Sequence, residues 1–92
     1  MIRSFRHKGL KRLYEQDIAK GLPADMTPKI ARILARLDVA TQPQMMDLPG
    51  LGLHPLKGKR KGFWSVWVTG NWRIIFRFKA GHVGDVDLVD YH

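Results

Sequence analysis

The order of patterns in this 92-residue chain predicts an α+β fold, with N-terminal helices packed on a mostly antiparallel sheet of about four to five strands. Two observations predict it. Apolar residues recur at three- and four-residue intervals through residues 8–37, the spacing of one helical face. After a break, aromatic and β-branched runs with two-residue alternation occupy the last third of the chain. Helices first and a meander of strands afterwards is the segregated pattern, as opposed to the alternation that builds a parallel sheet. The length fits one domain over residues 1–92.

Each element has its own local reason. "MIRSF" can open the fold as a strand, although its alternation is poor. Over residues 8–20, Leu10, Leu13, Tyr14 and Ile18 fall on one helical face, Gly21 supplies a stop, and Pro23 prevents continuation. In the second helix Thr27 can cap and Pro28 suits the first turn. Met26, Ile30, Ile33, Leu34 and Leu37 form its apolar stripe, and Lys29, Arg32 and Arg36 give it a basic outer side. Residues 41–62, with three prolines and repeated glycines, read as a long connection, and connections of that length in compact domains are often functional. "FWSVWV" (63–68) and "WRIIFRF" (72–78) are strands joined by a turn at Thr69-Gly70-Asn71. The second alternates strictly, with Trp72, Ile74, Phe76 and Phe78 on one face and Arg73, Ile75 and Arg77 on the other. A final strand is expected from about Val83 to the end of "DVDLVDYH", after a turn at Ala80-Gly81. The three tryptophans are expected to pack in the core or on the sheet, not to serve as base-stacking platforms.

Composition narrows the partners. Sixteen Lys and Arg against eight Asp and Glu leave a net charge of +8, a field that favours polyanions such as RNA, DNA or the ribosome. There is no cysteine, so disulfides and thiolate metal sites are excluded. No apolar run reaches the ~18 residues of a membrane span, and the N-terminus lacks a signal peptide's apolar middle; a soluble cytoplasmic protein without a membrane partner is expected.

No phosphate-cradling glycine loop, zinc-ligand spacing or nucleophile elbow occurs. The groups left for chemistry lie at strand ends and in the long connection: His54, Lys57, Asn71, Arg73, Asp90, Tyr91 and His92. If the last strands are antiparallel neighbours, Asn71 and Arg73 at the start of one lie near Asp90, Tyr91 and His92 at the end of the other. Such a set could cleave RNA with neither metal nor cofactor, because RNA carries its own nucleophile in the 2′-hydroxyl. Histidine suits the proton transfers, its unperturbed pKa of about 6.5 lying near working pH. Arginine and lysine suit the negative charge that develops on the phosphoryl group.

"LHPLKG" at 53–58, "KGFWS" at 61–65, "GNWRIIFRF" at 70–78 and the closing "VDYH" together resemble the HigB-type toxins of the RelE superfamily, and the resemblance spans nearly the whole chain. It implies a RelE-like fold and the activity of a ribosome-dependent endoribonuclease that cuts mRNA in the decoding centre, contacting ribosomal RNA as it does so. It implies a helix-turn-helix antitoxin partner, HigA-like, with operator DNA bound only through the toxin–antitoxin complex. It places the functional positions at His54, Lys57, Asn71, Arg73, Asp90, Tyr91 and His92. The expected roles are His92 as proton donor or acceptor with His54 as its complement, and Arg73 and Lys57 on the scissile phosphate. Tyr91 would position or stack on a base, Asn71 and Asp90 would orient, and Lys59, Arg60 and Lys61 would attract RNA.

Two rival readings use the same residues. Asp85, Asp87, Asp90 and His92 could supply ligands to a metal-dependent nuclease. Strand alternation sets the first two on one face and the last two on the other, against one shared ion. Charge and aromatics alone would also serve a non-catalytic RNA- or ribosome-binding module.

Overall fold

In the computed structural model, which describes residues 1–91, two helices cover one face of a four-stranded sheet. The helices are α1 (Lys8–Gln16) and α2 (Thr27–Val39), and the strands are β1 (His54–Pro55), β2 (Trp64–Thr69), β3 (Trp72–Lys79) and β4 (His82–Asp90). The strands lie side by side in chain order and every neighbouring pair is antiparallel.

α1 starts where the His7 ring accepts the Leu10 N–H at 3.2 Å, satisfying one of the free donors of the first turn. It ends at Gln16, short of the residue 20 expected from periodicity. Asp17 turns left-handed (φ 57°) and returns its N–H to the Leu13 carbonyl, a conformation short polar side chains tolerate. Ile18 therefore lies outside the helix and 43% exposed. α2 is capped from Met26, not Thr27; the Thr27 hydroxyl donates to the Pro23 carbonyl at 3.0 Å, and Pro28 sits in the first turn as expected. Ile30, Ile33, Leu34 and Leu37 are its buried stripe.

The core joins that stripe and Leu10 and Leu13 of α1 to Val66 and Val68 of β2, Ile74 and Phe76 of β3, and Val83, Val86 and Leu88 of β4. The sheet thus follows the alternation of its sequence. β3 and β4 connect through Ala80 (φ 52°) and Gly81 (φ 79°), the paired positive dihedrals that a two-residue hairpin loop demands.

Two segments depart from expectation. "MIRSF" makes isolated parallel bridges from Ile2 to Val83 and from Phe5 to Val86, without becoming a regular strand. The edge it meets is irregular: β4 shifts register against β3 between Ile75 and Arg77, and Asp85 takes φ 51°. Residues 41–62 are not one open connection. They hold a 3-10 turn at Pro43–Met46, the short β1 and a second 3-10 turn at Gly58–Arg60, and they send fully buried Met46 and nearly buried Leu51 into the core. Proline and glycine hid these pieces because each is shorter than one period of any pattern. No helix among the described residues is long and apolar enough to cross a membrane.

The Tyr14 hydroxyl donates to Asp38, tying α1 to the end of α2. That hydrogen bond, followed by burial, raises the Tyr14 pKa above its ordinary 10.0. A raised folded-state value means the contribution is complete below the unfolded value and is lost as pH rises through the folded one. Tyr14→Phe should cost about 1 kcal/mol at neutral pH and blunt the alkaline loss of stability, as read from denaturant melts at increasing pH.

Candidate functional site

Helices cover one face of the sheet, and the other carries the candidate site. Cross-strand register sets His54 of β1 opposite Ser65 of β2, Ser65 opposite Ile75 of β3, and Ile75 opposite Asp87 of β4. Directly paired residues share a face, so these four form one row across the open side. Ser65 and Ile75 are each 1% exposed and Phe63 is 5% exposed, although no helix lies over them. Over Phe63 lie the guanidiniums of Arg6 and Arg77.

The connection between β1 and β2 is pinned at both ends. Leu56 donates its N–H to the Phe63 carbonyl at 2.9 Å, and Phe63 donates its own to the Arg60 carbonyl at 2.9 Å. Gly58 turns with φ 67°, which a side chain would strain. Arg60 then reaches over the face to Tyr91, its guanidinium carbon 5.6 Å from the ring centroid. Arg73 approaches the same ring at 5.9 Å and donates to the carbonyls of Gly70 and Trp72, each at 3.1 Å. Tyr91 is placed by its own backbone, which donates to the Asn71 carbonyl at 2.7 Å. A phenol with two guanidiniums against it keeps positive charge beside an aromatic surface, and neither arginine forms an ion pair among the described residues. Such a surface can hold a phosphate and stack on a base.

A second aromatic anchor lies on the same face. Arg6 and Arg77 stand 5.0 and 5.3 Å from the Phe63 centroid, and both pair with Asp85, at 3.9 and 2.6 Å. Sequence reasoning missed this group. Arg77 was legible as a face-mate of Arg73, but Arg6 reaches the sheet only because the N-terminal segment runs beside β4.

The expected residues divide accordingly. Asn71, Arg73 and Tyr91 come together at the tip of the β3–β4 pair, and Arg60 joins them from the connection. His54 shares their face through register, without a recorded side-chain contact to them. Lys57, Lys59 and Lys61 are exposed on the connection. Asp90 pairs with Trp72, which sets it on the opposite side of the sheet from Ile75. His92 lies outside the described residues. Among the tryptophans, Trp64 and Trp72 pack against the core, whereas Trp67 is 39% exposed with the Lys29 ammonium 4.1 Å over its ring. Burial, with Arg32 nearby, lowers the Lys29 pKa. The acids do not converge: Asp85 is committed to arginines, while Asp87 and Asp90 stand on different faces. Among the described residues no three His, Cys, Asp or Glu side chains group as metal ligands.

Comparison with known proteins bears on the family and the fold. A family model described as the RelE-like toxin of the type II toxin–antitoxin system HigB matches residues 3–92. The chain is 44% identical over 92 residues, covering 100% of both chains, to Endoribonuclease HigB of Proteus vulgaris. Among solved structures, the YoeB/ParE toxin from Agrobacterium tumefaciens superposes with a TM-score of 0.54 at 20% identity, over 100% of this chain and 99% of that one, a likeness of fold alone.

The Ser65 hydroxyl is buried with no hydrogen-bond partner among the described residues. An unpartnered buried hydroxyl costs stability, so Ser65→Ala should leave the thermal melt unchanged or raise it. A loss of more than about 2 kcal/mol would mean that the hydroxyl is satisfied in solution.

Proposed function

This chain belongs to the RelE-like HigB toxin family of type II toxin–antitoxin systems, and on that footing we propose that it is an endoribonuclease that cuts mRNA in the decoding centre of the ribosome. The observation that carries the reading is the open sheet face, where Arg60 and Arg73 flank Tyr91 and neither forms an ion pair among the described residues. That face offers an RNA strand a phosphate site and an aromatic surface together. It does not enclose the strand, so alignment for attack must come from elsewhere, and the ribosome supplies it.

The chemistry assigned to this face uses the RNA's own nucleophile. A base takes the proton of the 2′-hydroxyl, the 2′-oxygen bonds to phosphorus, and the bond to the 5′-oxygen breaks as an acid protonates that oxygen. The products are a 2′,3′-cyclic phosphate and a 5′-hydroxyl. His92, which follows Tyr91 in sequence, and His54 are assigned the two proton transfers, and either order balances. Arg73 and Lys57 stabilise the charge gained by the phosphoryl oxygens. Tyr91 holds a base or the strand in position, and Asn71 supports it through the backbone bond described above. Asp90 orients the strand tip, and Lys59 and Lys61 raise the local concentration of RNA. A type II toxin has an antitoxin partner; a helix-turn-helix protein of the HigA kind is the one proposed, with operator DNA reached only through the complex.

Purified protein should cleave mRNA bound to ribosomes and act weakly on the same RNA free in solution, with chelator making no difference. Equal rates with and without ribosomes would overturn the ribosome dependence, and binding without any cleavage would favour the non-catalytic module. Deleting His92 should lower single-turnover cleavage by about 10²–10⁴-fold, the usual worth of a general acid or base. The melt should stay within about 0.5 kcal/mol, the usual range for a change that leaves the core intact. Full cleavage by a folded protein lacking His92 would remove that assignment.

A further inference from the structure

A cleft lies away from the Tyr91 cluster. It is an open groove of about 420 Å³ at the other end of the strands, between the β3–β4 hairpin and the N-terminal segment. Arg3, Arg77, Lys79 and His82 line it, with Asp85 as its one acid. Asp85 is already paired with Arg77 and Arg6, so it leaves Arg3 and Lys79 without an ion pair among the described residues.

The groove is built, not a chance meeting of surface side chains. The Arg3 N–H donates to the Val83 carbonyl at 2.7 Å, Asp85 donates its N–H to the Ser4 hydroxyl at 2.8 Å, and Val86 donates its own to the Ser4 carbonyl at 3.2 Å. These bonds hold the N-terminal wall against β4. Gly84 makes the close approach possible, since a Cβ there would stand 3.1 Å from the Ser4 hydroxyl. The Arg3 guanidinium contacts the His82 ring at 3.1 Å across the groove. By alternation Lys79 lies on the same face of β3 as Arg73 and Arg77. Lys79 stands six residue steps along the strand from Arg73, roughly 20 Å at the usual rise.

We infer that this groove is a second phosphodiester-binding site, which grips an RNA backbone about 20 Å from the Tyr91 cluster along the same open face. Arg3 and Lys79, without an ion pair among the described residues and set at a preformed concavity, offer what a phosphate needs. The inference rests on the proposed RNA substrate but not on any catalytic role. The RNA held there is either the substrate strand or ribosomal RNA; the chemistry is shared, and binding experiments separate the two.

The test compares two exposed cation pairs of equal charge: Arg3→Ala/Lys79→Ala in the groove and Lys8→Ala/Lys11→Ala on α1. Affinity is measured against salt for vacant ribosomes and for a short 2′-O-methylated RNA, which keeps its phosphates but cannot be cleaved. The groove pair should reduce the slope of log affinity on log salt by roughly 1.4–1.8, since each lost phosphate contact removes about 0.7–0.9, and the α1 pair should change it less. A loss on both ligands assigns the groove to the substrate strand, and a loss on ribosomes alone assigns it to ribosomal RNA. An unchanged slope, or an equal loss from the α1 pair, overturns the site. A thermal melt of each variant checks folding. Cleavage of ribosome-bound mRNA by the unaltered protein is read separately, so the inference and the proposed activity can fail independently.

Discussion

Because β3 sits between β2 and β4 and alternates strictly, its backbone assigns each of its side chains to one of two environments. Trp72, Ile74, Phe76 and Phe78 go to the helices, and Arg73, Ile75, Arg77 and Lys79 go to the open side. Pairing carries that assignment across the sheet, so the placement of His54 and Asp87 depends on register more than on any contact of their own. A slip of one residue would bury arginines under the helices and expose Phe76, at a cost no small domain could absorb. The hydrophobic core therefore fixes the geometry of the polar face indirectly, by making one register far more favourable than its neighbours.

The open face solves a charge problem in a particular way. Bringing many cations together is unfavourable, and carboxylates are the common remedy, yet a carboxylate would also occupy the place an RNA phosphate must take. Here Asp85 compensates Arg6 and Arg77, while Arg60 and Arg73 rest against an aromatic ring. A guanidinium over a ring is stabilised by about 0.5–1 kcal/mol at an exposed site and keeps its full charge. Exposed ion pairs contribute similarly little, so neither device holds the fold together. Their effect is on position: the guanidiniums are held against Phe63 and Tyr91.

The connection between β1 and β2 links the two halves of this arrangement. It begins at the edge strand that carries His54 and passes the exposed lysines. Arg60 extends from it toward the tip of β4, about two strand spacings, roughly 10 Å, across the sheet. Its backbone hydrogen bonds to Phe63 and the left-handed Gly58 hold this path without any regular element longer than one turn.

Much of the architecture was legible in the chain itself. Periodicity located both helices and the three long strands, and the alternation of β3 by itself separated Arg73 from Ile74. The neighbourhood of Asn71, Arg73 and Tyr91 followed from assuming one antiparallel pair. These features are local, set by side chains a few residues apart and by the period of the backbone. What the sequence did not determine lies where chain-distant segments meet. The left-handed Asp17 ended α1 early, β1 formed only because β2 offered an edge, and Arg6 and Arg60 joined the open face through paths that no local period encodes. The groove beside Arg3 is the extreme case, with one wall at the start of the chain and the other in its final hairpin. Only packing, which lowers the free energy by bringing such segments into contact, decides that they are neighbours.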